Sequence, residues 1–334
     1  MHKGHSAVLA GLGAWLPPRV VDNDELSGLL DTSDEWIRTR TGIRERRIAD
    51  PDVSTVDMAV HAAGNALRSA DSDRVDAVVL ATATADQLCP ASAPQVASAL
   101  GMSGIAAFDV NAVCSGFVYA LATAAGLIAT GTAERVLVIG SDAFSRLCDP
   151  ADRTTLPIFG DGAGAVVVRA GDEDEPGALG PFDLHSAGEH ADLLIVPAGG
   201  AKQRFSDEPH DYYVTMQGTA IFRHACARMA ESASTLLDEA GLAVADVDRF
   251  VGHQANIRIL KGAAKQLGLP EDRVVANIAR VGNTSAASIP LALADACDDG
   301  TVRTGHRVVL TAFGAGLTWG STLLTWPDVK PIQS

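Results

Sequence analysis

The reactive side chain that stands out in this sequence is Cys114, in the segment FDVNAVCSGFVYALATAAG. An apolar strand runs into a turn of small residues and then into a helix that is apolar nearly all round. A cysteine at the N-terminus of a buried helix feels the positive end of the helix dipole and unpaired amides, and both favour the thiolate. Ser115 and Gly116 leave room for a substrate, as a nucleophile on a sharp strand-to-helix turn requires. The segment suits a thiol nucleophile, although a packed core cysteine explains it equally well.

Two further segments carry candidate partners for such a nucleophile. His253 follows a short apolar strand in RFVGHQANIRIL and precedes a helix that begins near Asn256, at a strand end from which catalytic side chains usually project. Asn283 lies in RVGNTSAASIPLAL, after Gly282, which permits a tight turn. On these segments alone, a structural histidine and a helix-capping Asn283 or Thr284 are the commoner explanations.

Two glycine-rich segments are candidates for ligand contacts through the backbone. In TAFGAGLTWGS (311–321) a strand runs into a turn whose exposed amides can approach a ligand and stabilise an oxyanion. Gly160, Gly162 and Gly164 in FGDGAGAVVV look like a phosphate loop, but they precede a strand and no helix. Neither the dinucleotide fingerprint nor the P-loop context is met, so we predict a tight turn there.

The segments around these residues show an α/β pattern. Apolar runs rich in Val, Ile and Leu suit strands buried on both faces, and they alternate with stretches of helical length and composition. The clearest predicted strands are 75–84, 106–110, 135–141 and 163–170, and the clearest helices are 54–70 and 116–131. We therefore predict an α/β layered fold.

The second half of the sequence repeats the pattern of the first. A helix over 219–240 leads into DVDRFVGHQ (246–254), as a helix over 55–70 leads into DRVDAVVLA (73–81). Such a repeat indicates a duplicated unit in which each half supplies strands to one core.

The two predicted halves are joined by GDEDEPGALGP (171–181), an acidic, Gly/Pro-rich stretch that is typical of a surface connection. We place the boundary there and divide the chain into 1–174, which carries the cysteine, and 175–334, which carries the histidine and asparagine. A second polar loop, 198–213, is either a mobile cover over a site or a solvated insertion.

Composition argues against several function classes. The chain has 334 residues and a formal net charge of -15, whereas a nucleic-acid binder needs a concentrated basic surface. No run approaches the roughly 20 apolar residues of a membrane span, and the N-terminal segment lacks a convincing signal-peptide pattern, so we expect a cytoplasmic protein. The five cysteines form no CxxC pair and show no Cys/His spacing suited to zinc, which predicts reduced thiols and no metal.

Six segments, in order along nearly the whole chain, closely resemble the β-ketoacyl-acyl carrier protein synthase III family. They are DTSDEWIRTRTGIRERRI (31–48), NAVCSGF (111–117), FGDGAGA (159–165), GHQANIRI (252–259), GNTSAAS (282–288) and FGAGLTWGS (313–321). The resemblance implies a thiolase-like fold, in which two duplicated halves with a five-stranded sheet each form a five-layer αβαβα sandwich and assemble as a homodimer. It also implies a catalytic triad of Cys114, His253 and Asn283, with an oxyanion hole at the backbone amides of Cys114 and Ala315.

The reaction implied by the resemblance has two steps. An acyl group from acyl-CoA is loaded on Cys114 and is then condensed with a malonyl thioester on acyl carrier protein, with loss of CO2, which primes fatty-acid or polyketide synthesis. Acyl-CoA is a substrate in this scheme, and no cofactor is expected. The rivals are a thiolase-fold acyltransferase that passes the acyl group to an alcohol, amine or carrier thiol without condensation, and a thioesterase, although no GxSxG elbow is present.

The resemblance also assigns binding surfaces. Coenzyme A contacts fall on Thr32, Trp36, Arg40, Arg153, Gly218, Phe222 and Asn256, with adenine between Trp36 and Arg153. Carrier-protein docking falls on Arg223, Arg258, Lys261 and Lys265, a positive patch on an acidic chain, with Gln266 where some relatives have a further lysine. Cys89, supplied by the neighbouring subunit, would close the acyl pocket where some members have phenylalanine, so we expect primers longer or more branched than acetyl to be accepted.

Overall fold

Helices and strands alternate along residues 5–334, the part of the chain that the computed structural model describes. The helices are α1 (Asn23–Ser27), α2 (Asp34–Thr41), α3 (Thr55–Ser69), α4 (Ala93–Ala99), α5 (Gly116–Ala129), α6 (Gly218–Glu239), α7 (Ile257–Leu267), α8 (Ile278–Val281) and α9 (Ser288–Asp298). The strands are β1 (Ser6–Trp15), β2 (Val20–Asp22), β3 (Glu45–Arg47), β4 (Ala77–Ala81), β5 (Ala106–Val110), β6 (Arg135–Asp142), β7 (Gly162–Gly171), β8 (Phe182–Ser186), β9 (Leu194–Ile195), β10 (Thr215–Met216), β11 (Arg249–Gly252), β12 (Arg307–Gly314), β13 (Thr318–Thr325) and β14 (Ile332–Gln333). No helix within this range is both long and apolar enough to cross a membrane.

Two sheets with matching strand order confirm the predicted duplication. The first sheet has the order β14-β1-β7-β6-β4-β5 and the second β11-β12-β13-β8, while β2 with β3 and β9 with β10 form small separate pairs. In the first sheet β4 and β6 are parallel, and β7 pairs antiparallel with β6. In the second sheet β11 and β12 are parallel, and β13 pairs antiparallel with β12.

The strand count differs from the five per half that the resemblance implies. The first sheet gains β14 as a sixth strand, whereas the second has four among the described residues. In the first sheet, β5 pairs with β4. At the corresponding position of the second sheet there is only an isolated parallel bridge, between Phe250 of β11 and Val274. The chain there passes through Pro270 and a 3-10 turn at Glu271–Arg273, which leaves a single bridge in place of a strand.

Helices α5 and α9 lie between the two sheets and form the central layer. Their buried side chains share one hydrophobic cluster with strands of both sheets, which explains why α5 is apolar nearly all round. Helix α3 covers the outer face of the first sheet, and α6 and α7 cover the outer face of the second. The result is the five-layer αβαβα sandwich that the family resemblance implies.

The predicted strand 75–84 extends further than the observed β4. Strand β5 spans the predicted residues 106–110, but β4 ends at Ala81. Beyond it, the hydroxyls of Thr82 and Thr84 and the amide of Ala83 all donate to the Asp142 carboxylate, at 2.8–3.0 Å. A buried carboxylate thus turns the chain out of the sheet at this point.

The predicted boundary at 174/175 falls between β7 of the first sheet and β8 of the second. Residues 172–174 of this connection are exposed. The C-terminal strand β14, however, returns to pair with β1 of the first sheet. The division into 1–174 and 175–334 stays a prediction.

Close backbone packing joins the central helix layer to the first sheet at Gly140 in β6. A Cβ atom at this position would lie 2.3 Å from the carbonyl oxygen of Ala286, in the turn that precedes α9. Only glycine permits this approach, because backbone atoms cannot move away as the end of a flexible side chain can.

We expect Gly140→Ala to lower the free energy of unfolding by about 1–3 kcal/mol, because the added methyl group overpacks the core. The measurement is chemical denaturation. The matched control is Gly126→Ala on the exposed side of α5, where a Cβ meets no atom within 4 Å and helix propensity improves. Equal stability of the two variants would contradict this account.

Candidate active site

One large cavity, of about 620 Å³, contains all three residues of the predicted triad in its lining. Cys114, His253 and Asn283 are 4%, 3% and 5% exposed, so they form its buried end. Arg223 and Arg258, which also line it, are exposed and mark the mouth. Most of the wall between is apolar and includes Ile158, Phe159, Leu194, Met216, Ile221, Phe222, Met229 and Phe313. An acyl chain is the kind of ligand that such a wall suits.

Cys114 lies in a 3-10 turn, Val113–Ser115, between β5 and α5. Its Sγ is 3.7 Å from the hydroxyl oxygen of Ser285, which it contacts as a weak donor. Burial raises the pKa of the Cys114 thiol to about 12, despite the opposing effect of the Ser285 contact. Desolvation therefore favours the neutral thiol, in contrast to the thiolate that a helix N-terminus favours.

His253 follows β11 and is neutral at physiological pH. Burial alone lowers the pKa of the imidazole to about 3. Its backbone N–H donates to the carbonyl of Thr311 on β12, at 2.8 Å, and its ring Nδ1 lies 2.6 Å from the Ser288 hydroxyl at the start of α9. A neutral imidazole carries one N–H, so this residue can act as a hydrogen-bond donor without bearing charge.

Asn283 combines a local turn contact with a free donor. Its Oδ1 accepts from the backbone N–H of Ser285 at 2.9 Å, but neither the 3-10 turn Ser285–Ala287 nor α9 has a side-chain cap, so the expected helix cap by Asn283 or Thr284 is absent. Because a backbone N–H donates to this atom, it must be the side-chain oxygen of Asn283, and the other atom is the amide NH2. The NH2 group has no hydrogen-bond partner among residues 5–334. The backbone of Asn283 is held by Ile158 and Gly160, at 2.9 and 3.0 Å.

The glycine-rich turn between β12 and β13 packs directly on the Cys114 turn. A Cβ at Gly314 would lie 2.9 Å from the Cys114 nitrogen. The Thr318 hydroxyl, 2.6 Å from the Ser115 hydroxyl and 3.1 Å from the Ala112 carbonyl, ties the two turns together. The segments of Cys114 and Ala315, whose amides are predicted to form the oxyanion hole, therefore adjoin, although the cavity lining ends at Gly314.

Three polar residues around the triad were not predicted from the sequence. Ser285 contacts the thiol, Ser288 contacts the imidazole, and the fully buried Asp142 accepts the N–H of Ala286 at 3.0 Å. Burial raises the pKa of Asp142 against the effect of these donors. Both serines lie in the GNTSAAS motif and Asp142 ends an apolar strand, but nothing in the sequence connects them to Cys114 or His253.

Most of the predicted coenzyme A contacts surround the cavity mouth. Trp36, Arg40, Gly218, Phe222 and Asn256 line it, whereas Thr32 and Arg153 lie outside the lining. The guanidinium groups of Arg40 and Arg153 stack on the Trp36 ring, 4.6 and 4.9 Å from its centroid. A base can therefore enter between Trp36 and Arg153 only if Arg153 moves away.

The predicted carrier-docking residues follow α6 and α7 outward from the mouth. Arg223 and Arg258 line the cavity, and Lys261 and Lys265 lie on the exposed side of α7. Lys261 pairs with Glu271 at 2.8 Å. Cys89 is exposed and lies outside the cavity lining of its own chain.

Comparisons with solved structures assign the class of protein. The chain superimposes on 3-oxoacyl-(acyl carrier protein) synthase III from Pseudomonas aeruginosa PAO1 with a TM-score of 0.93, at 52% identity, covering 98% of this chain and all of that one. A priming β-ketosynthase from the R1128 polyketide pathway gives a TM-score of 0.91 at 36% identity, covering 98% of each chain. The protein is thus a thiolase-fold enzyme of the acyltransferase, condensing type.

Sequence comparisons assign the family. The 3-oxoacyl-[acyl-carrier-protein] synthase III model matches residues 108–188, and its C-terminal counterpart matches 237–326. β-Ketoacyl-[acyl-carrier-protein] synthase III 3 of Streptomyces coelicolor is 56% identical over 332 residues, covering 98% of this chain and 99% of that protein. The chain belongs to the β-ketoacyl-acyl carrier protein synthase III family.

We expect alkylation of Cys114 by iodoacetamide to accelerate about tenfold per pH unit up to at least about pH 9, because the thiolate fraction rises in that proportion below a pKa of about 12. Intact-mass kinetics in a Cys89→Ser background measure it, with Cys114→Ala added as the blank. A rate that levels off below about pH 8 would instead indicate a stabilised thiolate.

Proposed function

We propose that this enzyme transfers an acyl group from acyl-CoA to Cys114 and condenses it with malonyl-acyl carrier protein, releasing CO2 and a 3-oxoacyl product. The observation that carries the proposal is the pair of neutral groups, the His253 imidazole and the unpartnered NH2 of Asn283, in one cavity with a buried thiol. Coenzyme A enters as the acyl donor and so is a substrate.

In the first step the Cys114 sulfur attacks the thioester carbonyl. The new S–C bond forms as the bond to coenzyme A breaks, and coenzyme A leaves as a thiol with the proton that Cys114 has lost. The adjoining amides of Cys114 and Ala315 would stabilise the tetrahedral oxyanion. Because the two thioesters are of similar energy, the acyl group stays activated on the enzyme.

In the second step the malonyl thioester loses CO2, and negative charge develops on its carbonyl oxygen as the enolate forms. His253 and Asn283 can each donate one hydrogen bond to that oxygen. The enolate carbon then attacks the Cys114 thioester, the bond between the acyl carbon and sulfur breaks, and the Cys114 thiolate takes up a proton from solvent to regenerate the thiol. The burial of the cavity end favours this step, since directed hydrogen bonds are stronger in a medium of low dielectric constant.

We extend the proposal to binding of both thioester carriers at the mouth. Arg40 suits phosphate and Trp36 suits stacking on a base, as required for coenzyme A. Arg223, Arg258 and Lys265 present positive charge to an acidic carrier protein. The salt bridge with Glu271 of the same chain reduces the positive charge that Lys261 contributes. The chain as a whole is negative, so this local sign difference would orient the carrier.

We also propose a cytoplasmic homodimer in which each subunit completes the acyl pocket of the other. Strand β5 is the edge strand of the first sheet, and an open edge can pair with a second copy. Leu88 is 78% exposed beside Cys89, as expected of a segment that inserts into a partner. Five unpaired cysteines suit the reducing cytoplasm.

The non-condensing alternative would also acylate Cys114. It does not need two donors aimed at an enolate oxygen, however, and the free NH2 of Asn283 beside His253 favours condensation. A thioesterase would need a water activated near the acyl-enzyme, whereas the imidazole here serves as a neutral donor.

We expect Asn283→Asp to slow condensation by about 10²- to 10³-fold, because it keeps the oxygen that accepts the Ser285 N–H and removes the NH2 donor. Acylation of Cys114 should stay within a few fold of wild type. The rates of CO2 release and of adduct formation by intact mass measure the two steps. Asn283→Ala, which also loses that oxygen, is the comparison, and normal condensation by Asn283→Asp would exclude this role.

We expect the wild type to accept isobutyryl-CoA and hexanoyl-CoA at least as well as acetyl-CoA, because Cys89 is smaller than phenylalanine. Cys89→Phe should lower kcat/KM for the larger primers by about tenfold while sparing acetyl-CoA. Cys89→Ser is the size-matched control, and light scattering checks that all variants remain dimers. Strict preference of the wild type for acetyl-CoA would contradict the open pocket.

A further inference from the structure

We propose that Ser288 is a positioning residue that sets the tautomer of His253, by donating its hydroxyl proton to Nδ1 and so keeping the ring proton on Nε2. The inference rests on the proposed condensation, in which Nε2–H is the donor to the enolate oxygen. Ser288 itself does not line the cavity and touches no reacting atom.

The contact is short and buried. Ser288 is the first residue of α9 and is 1% exposed. Its Oγ lies 2.6 Å from Nδ1 of His253 and 3.3 Å from the backbone nitrogen of Gln254. These two groups are the hydrogen-bond partners of the hydroxyl among residues 5–334.

The direction of the proton follows from what each partner can do. The Gln254 N–H can only donate, so it occupies a lone pair of Oγ. If Nδ1 also donated, the hydroxyl proton would have no acceptor in a site closed to solvent, which is costly. When Nδ1 accepts instead, every group is satisfied. The contacts therefore assign the neutral imidazole a proton on Nε2.

Further hydrogen bonds hold Gln254 and the His253 backbone in place around this contact. The Gln254 carboxamide donates to the carbonyls of Gly252 and Val275, at 2.7 and 3.2 Å, and accepts from the N–H of Asn277 at 3.1 Å. The His253 backbone is held by Thr311. Since burial keeps the imidazole neutral, the ring has one proton to place, and Ser288 decides on which nitrogen it resides.

The tautomer decides the chemistry that His253 can perform. With Nδ1 occupied by Ser288, Nε2 is the ring nitrogen available to the cavity, where the Asn283 NH2 supplies a second donor. In the opposite tautomer a lone pair on Nε2 would face the developing enolate charge and oppose it. Condensation thus needs the Nε2–H form, while transfer of the acyl group to Cys114 does not depend on it.

The test compares Ser288→Ala with Ser288→Thr, which retains the hydroxyl, and with Ser232→Ala. Ser232 is a buried serine on α6 whose hydroxyl has no hydrogen-bond partner among the described residues, so its loss controls for removal of a buried oxygen. Two readouts are needed: separate rates for Cys114 acylation and for condensation, and 15N NMR of histidine-labelled protein, which distinguishes the tautomers of His253.

We expect Ser288→Ala to lower the condensation rate about 10- to 100-fold, with acylation nearly unchanged and a mixture of His253 tautomers in the spectrum. Ser288→Thr should restore the Nε2–H signal and most of the rate, and Ser232→Ala should change neither.

An Nδ1–H signal in the wild type would overturn the assignment, as would equal losses of acylation and condensation in Ser288→Ala. If the wild type does not condense, the proposed function fails, but the NMR spectra still decide the tautomer and its dependence on Ser288.

Discussion

Close approaches of backbone segments at Gly314 and Gly140 fix the geometry of the candidate active site. Gly314 brings the β12–β13 turn against the amide of Cys114, and Gly140 lets the turn before α9 lie on β6. Thr318 links the β12–β13 turn to the Cys114 turn through the hydroxyl of Ser115. Because backbone atoms carry the two glycine contacts, the distances among these segments are set by the fold and leave little freedom to side chains.

The same packing removes water from the reacting groups and so determines their protonation. Desolvation disfavours charge on the Cys114 thiol and the His253 imidazole alike, which makes the centre a set of neutral donors and acceptors. In such a centre selectivity depends on where protons lie and where they point. In the proposed reaction the Ser288 hydroxyl and the Asn283 carboxamide would supply that direction, whereas the arginines lie at the mouth.

Charge at the mouth has the opposite sign to the chain as a whole. The net charge is -15, yet Arg40, Arg223 and Arg258 line the entrance. Two of these guanidinium groups lie on aromatic rings, Arg40 on Trp36 and Arg258 on Phe222, which orders them without neutralising them. Anionic thioester carriers would meet a positive, partly ordered rim before the acyl group reaches the apolar wall.

Residue patterns alone predicted the layered α/β class and the duplication, and six motifs indicated the family by resemblance. Apolar runs and small-residue helices report burial directly, so strand β5 and the central helix α5 could be predicted from residues 106–110 and 116–131. The motifs also indicated Cys114, His253 and Asn283, and the structure brings all three to one cavity. The residue-level roles stay predictions.

The protonation states and hydrogen-bond partners of these groups depend on contacts that form in the folded chain. The Cys114 thiol meets Ser285 across 171 residues of sequence, and His253 meets Ser288 across 35. Neither contact leaves a local pattern, because a serine at the start of a helix suits capping just as well. The helix N-terminus alone favours a thiolate, but a pKa depends on the whole surroundings, and burial raises the pKa of Cys114. The sixth strand β14 and the single bridge at Val274 could not be predicted either, because pairing at a sheet edge depends on where segments distant in sequence end.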